Sequence, residues 1–149
     1  SVDDILNHDT VALIKERLEQ TSIGKRVAFE IIESEGIENF DSVVKFIDDI
    51  KQYGCKISID DFGTGYSNFE YLMKLKVDYI KIDASMIKNI DTNKDSEIIT
   101  ESIVDFGKKL KIKTIGEYVH SKNVFEKIQN IGVDYAQGYY FGEPTLLKK

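Results

Sequence analysis

The chain has 149 residues, enough for one domain rather than two. Its 26 acidic and 20 basic side chains leave a formal charge of −6, which argues against a DNA binder held by backbone phosphates. The apolar fraction of 42%, about half once Gly is counted, excludes disorder as the main state. No apolar stretch approaches the ~18–20 residues of a membrane span, and no basic segment followed by an apolar one opens the chain. With Cys55 as the only cysteine there is no intrachain disulfide framework and no cysteine zinc site. The expectation is a cytoplasmic chain that makes no membrane contact of its own.

In chain order, apolar residues at Val11, Ile14 and Leu18 predict a first helix over 9–20, with Asp9 able to cap it. A unit then repeats: a short run rich in β-branched and aromatic residues, a polar turn, and an amphipathic helix. The predicted strands are RVAFEII (26–32), KISID (56–60), DYIKID (78–83), KIKTIG (111–116) and DYAQGYY (134–140). The predicted helices between them cover 42–53, 68–75, 96–110 and 122–132. Consecutive βα units call for a parallel sheet with right-handed crossovers, here about five strands with flanking helices in a single domain over 1–149.

Polar residues recur where each run ends: Glu30 and Glu33, Asp60 and Asp61, Lys81 and Asp83, Glu117, and Gln137. Parallel α/β folds build their sites at the carboxyl ends of strands, so the pattern points to a site. Convergent carboxylates about 4 Å apart repel by roughly 4 kcal/mol at an effective dielectric of ~20, and Lys81 alone is too little counter-charge. An oxygen-only set from Glu30, Asp60, Asp61 and Glu117 suits Mg²⁺ or Mn²⁺. Paired ions of that kind cleave phosphoesters and let an acidic protein hold an anionic substrate. Lys81 as a Schiff-base nucleophile is the weaker rival, because acidic neighbours keep an amine protonated.

The densest motif is DDFGTGYSN (60–68), directly after a strand. It is no kinase DFG, since neither an HRD loop nor a Gly-rich ATP loop accompanies it, and its GTG is no P-loop, since no GK[ST] follows. Together with FEIIES (29–34), LKVDYIKID (75–83), GEYVH (116–120) and QGYYFGEP (137–144), it closely resembles the EAL domain, the cyclic di-GMP phosphodiesterase family of bacterial signalling proteins.

That resemblance implies the C-terminal portion of a (β/α)8 TIM-type barrel. Its activity would be Mg²⁺- or Mn²⁺-dependent hydrolysis of cyclic di-GMP to linear pGpG. Glu30, Asp60 and Asp61 resemble metal ligands, with Asp60 bridging two ions. Glu33 resembles the glutamate that braces the loop after Asp61, and Lys81 the lysine near the attacking water. Glu117 resembles the family's general base or metal-bound carboxylate, and Gln137 a water or metal contact. The E-A-L motif itself is absent. Ile32 stands in place of a Thr, Gly116 and Tyr118 stand around Glu117, and His120 replaces a second glutamate. A catalytically degenerate module acting as a cyclic di-GMP receptor or a protein-interaction domain is the alternative. A barrel short of its front strands would expose sheet edges, so the fragment alone is expected to turn over little and to self-associate.

Overall fold

The structure is a computed structural model and describes residues 4–5, 7–32, 40–63 and 69–146, the side chains of Phe69 and Tyr71 excepted. The elements are α1 (His8–Thr21), a 3-10 turn (Gly24–Arg26), β1 (Ala28–Ile32), α2 (Phe40–Lys51), β2 (Lys56–Phe62), α3 (Phe69–Leu75) and β3 (Tyr79–Ile82). After them come α4 (Ala84–Ile87), α5 (Lys94–Leu110), β4 (Lys113–Gly116), α6 (Lys122–Ile131) and β5 (Tyr135–Ala136). The described strands are parallel and lie in chain order, β1-β2-β3-β4-β5, as successive right-handed βα units require. Among the described residues no helix is long and apolar enough to cross a membrane. The chain packs as two compact units, Ser1–Ile80 and Lys81–Lys149.

In the first unit, Asn7 caps α1 by accepting the Thr10 N–H, and Ser22 closes the helix in the left-handed region. Only Leu18 of the predicted apolar face is buried there, and Leu13 is left exposed. Helix α2 buries Val43, Phe46, Ile47 and Ile50, one face at helical spacing. Strand β1 pairs with β2 in the register Phe29↔Ile57 to Ile32↔Asp60. Cys55 is buried at the entry to β2, where burial pushes its thiol pKa up, so it acts as a small hydrophobe rather than a nucleophile.

In the second unit, Asn93 caps α5 by accepting the Asp95 and Ser96 N–H groups, and Lys111 ends it in the left-handed region. Two elements differ from expectation. Asp83 is the side-chain cap of the short helix α4, where it accepts the Ser85 N–H. The predicted strand 134–140 shortens to two residues because Gln137 and Tyr140 fold back on Val119. The Val119 N–H donates to the Gln137 carbonyl, and the Tyr140 N–H donates to the Val119 carbonyl.

One device occurs in both units. Asp78, just before β3, accepts the Ile57 N–H at 3.0 Å and pairs with Lys51 and Lys56, each at 2.8 Å. Asp134, just before β5, accepts the Thr114 N–H at 2.9 Å and pairs with Lys113 at 2.6 Å. Each aspartate thus ties the start of its own strand to the start of an earlier one. Burial raises both carboxyl pKa values, but the lysine and backbone hydrogen bonds outweigh it and hold both below the ordinary range. Because the folded values are depressed, the stabilisation is complete above the unfolded pKa of ~3.9 and is lost as pH falls through the folded values. Denaturant melts across this range should show Asp78→Asn costing about 2 kcal/mol at neutral pH and progressively less below pH 4.

Candidate active site

Period-two alternation on a strand sends neighbouring side chains to opposite faces, so two consecutive aspartates should not share a ligand. Asp60 and Asp61 escape this at the end of β2. Asp61 takes a left-handed backbone, φ 57°, and its N–H donates to Asp60 Oδ1 at 3.1 Å. Aspartate tolerates that conformation better than most residues, and Gly63 follows at φ 108°. Both carboxylates are half-buried, and each offers an oxygen within 4.8 Å of the other's. Oxygen donors at this separation fit a hard divalent cation, which also removes their repulsion.

Glu30 lies on β1 in register with Ser58, two residues before Asp60 on the same sheet face, and is exposed. A cavity of about 240 Å³ opens beside it, lined mainly by apolar residues such as Ile14, Phe29 and Phe46. The ring of Phe29 packs edge-on against Phe46, with centroids 5.6 Å apart.

In the second unit Lys81, 7% exposed on β3, pairs with Glu117 directly after β4, Nζ to Oε1 at 3.0 Å. The Glu117 N–H donates to the Ile82 carbonyl and fixes where the carboxylate begins. A buried ammonium held by a carboxylate is a fixed donor for an anionic group. Gln137 follows β5 and is anchored by its N–H to the Gly116 carbonyl, leaving its side chain exposed.

Tyr118 is half-exposed in a left-handed backbone, φ 56°, a conformation that costs a bulky residue about 1–2 kcal/mol. Its ring meets His120 at 5.6 Å, and His120 Nδ1 lies 3.3 Å from the Tyr118 carbonyl. Tyr140 and Phe141 pack on Phe125, with centroids 5.8 and 5.3 Å away, while Tyr139 faces solvent. Glu33 and the loop residues Thr64, Tyr66 and Ser67 lie outside the described residues.

Sequence reasoning missed Ser58 and the two strand-start aspartates. The signal for the latter was present, since Val-Asp-Tyr occurs before both β3 and β5.

Comparison with known proteins agrees with the motif reading. The family model for the EAL domain matches residues 1–144. The chain is 36% identical over 121 residues to the cyclic di-GMP phosphodiesterase PdeB of Shewanella oneidensis, covering 81% of this chain and 14% of that protein. The fold superposes on the PaMucR phosphodiesterase in its c-di-GMP complex with a TM-score of 0.88 at 29% identity, covering 97% of this chain and 59% of that one. A manganese and cy-diGMP complex of Klebsiella pneumoniae BlrP1 superposes with a TM-score of 0.84 at 29% identity, covering 93% of this chain and 36% of that one. The chain thus spans about one seventh of the length of PdeB. With ordered motifs, parallel βα architecture and a family match from the first residue to Glu143 and Pro144 all in agreement, this chain belongs to the EAL domain family.

Proposed function

We propose that this chain is the C-terminal part of a metal-dependent phosphodiesterase domain that hydrolyses cyclic di-GMP to linear pGpG. The observation that carries the reading is the left-handed Asp61, which turns its carboxylate toward that of Asp60 and makes a two-oxygen clamp from adjacent residues. Glu30, Asp60, Asp61 and Glu117 are the residues that would hold Mg²⁺ or Mn²⁺. Bound there, the cations supply charge that activates a water and offsets the charge growing on the phosphate. Lys81 donates to a phosphate oxygen from its buried position, and Glu117 holds that ammonium in place and takes up a proton as the phosphodiester opens. Gln137 orients water or substrate at the last strand, and Glu33 braces the loop after Asp61.

A Schiff-base role for Lys81 of the aldolase type has no support, because its ammonium is ion-paired with Glu117. A non-hydrolysing cyclic di-GMP receptor is the second reading, favoured by the strained Tyr118 beside Glu117. The full-length protein is expected to convert cyclic di-GMP to pGpG with Mn²⁺ and to lose that turnover on chelation. Calorimetric binding of intact nucleotide with no product would establish the receptor instead. Light scattering should find this chain by itself self-associated, with little turnover; a monodisperse, briskly active monomer would contradict that part of the proposal.

A further inference from the structure

Ser58 sits in the middle of β2 between Ile57 and Ile59, 3% exposed, with no hydrogen-bond partner for its hydroxyl. A buried hydroxyl left unbonded costs about 1–3 kcal/mol, and an apolar residue would serve the sheet better. One other described side chain shares this condition, Thr100 on α5. A helical threonine needs only a χ1 rotation to reach the carbonyl four residues back, here that of Ser96. A strand serine has no carbonyl brought to it by the turn of a helix, and its side chain meets the groups on the same face of the sheet.

Among the described residues of the first unit, Asp60 and Glu30 are carboxylates on that face near Ser58. Asp60 is two residues along the strand, and its Oδ1 already accepts the Asp61 N–H. Glu30 is the direct register partner across the β1–β2 pair, one strand spacing of ~4.7–4.9 Å away and within reach of a glutamate side chain. A carboxylate has about four acceptor sites, so one oxygen can take the hydroxyl proton while the other faces a cation.

We infer that Ser58 is a positioning residue that, once a cation is bound, donates its hydroxyl hydrogen to Glu30 and aims that carboxylate at the metal. This rests on the metal-dependent reading above. The test is Mn²⁺ binding alone, by calorimetry or electron paramagnetic resonance, on the full-length protein without nucleotide. Ser58→Ala should weaken Mn²⁺ binding about tenfold. It should also leave the metal-free thermal midpoint unchanged or raised, which loss of a structural hydrogen bond would not do. In a Glu30→Gln background the same substitution should change Mn²⁺ affinity less than twofold, because the partner charge is already gone. Unchanged affinity in Ser58→Ala, or an undiminished loss in the Glu30→Gln background, overturns the inference and leaves the phosphodiesterase reading standing. A wild-type protein that binds no Mn²⁺ overturns both.

Discussion

Asp60→Asn is expected to lower cyclic di-GMP hydrolysis by about a thousandfold while leaving the fold intact, measured as pGpG formation under saturating Mn²⁺. The substitution is nearly isosteric, and the asparagine Oδ1 can still accept the Asp61 N–H that Asp60 accepts at 3.1 Å. What disappears is the charge. Two carboxylates with oxygens within 4.8 Å of one another repel by about 3–4 kcal/mol or more at an effective dielectric of ~20, and water around these half-buried groups reduces that. The metal-free protein should therefore melt at the same temperature as the wild type or higher, and the gain that Mn²⁺ gives the wild type should be missing. Loss of activity together with a lower metal-free midpoint would instead mark Asp60 as a structural residue.

Gly138→Ala is expected to be the most disruptive single methyl in the second unit. A Cβ there would stand 2.2 Å from the Val119 carbonyl oxygen and 2.4 Å from the Val119 nitrogen, both backbone atoms with no rotamer to yield. The two loops must separate, breaking the hydrogen bonds that Val119 makes with Gln137 and Tyr140 and opening the seat of the fully buried Val119 side chain. Overpacking of this kind costs about 3 kcal/mol, to which the lost hydrogen bonds add. Denaturant unfolding should record a loss of at least that size. Gly142→Ala is a matched control, because it carries the same kind of backbone strain, φ 151° against 159° at Gly138, while no atom lies within 4 Å of a Cβ built there.

The alternation of short β-branched runs with amphipathic helices made β1 to β4 readable, because burial on parallel strands selects those residue types directly. Strand β5 was over-extended, since Gln137–Tyr140 satisfies its backbone through Val119, a tertiary pairing that leaves no local pattern. The positions of Asp60, Asp61 and Glu117 at or just after a strand end were legible, whereas Glu30 lies in the middle of β1. Orientation was not legible: nothing in the letters of two consecutive aspartates tells that Asp61 adopts φ 57°. Ser58 was equally invisible, because a serine between two isoleucines reads as an ordinary strand residue until its register with Glu30 is known.

The Asp78 and Asp134 latches sit where strands begin, while Asp60, Asp61, Glu117 and Gln137 sit where strands finish. Robustness and chemistry are therefore allotted to opposite termini of the same short segments. A protein engineer could harden the amino-end fastenings of each βα unit, by stiffening the lysine partners for example, with little trade-off against turnover. The same separation leaves evolution free to revise the carboxyl-end side chains, even to the point of losing catalysis, without dismantling the scaffold that presents them.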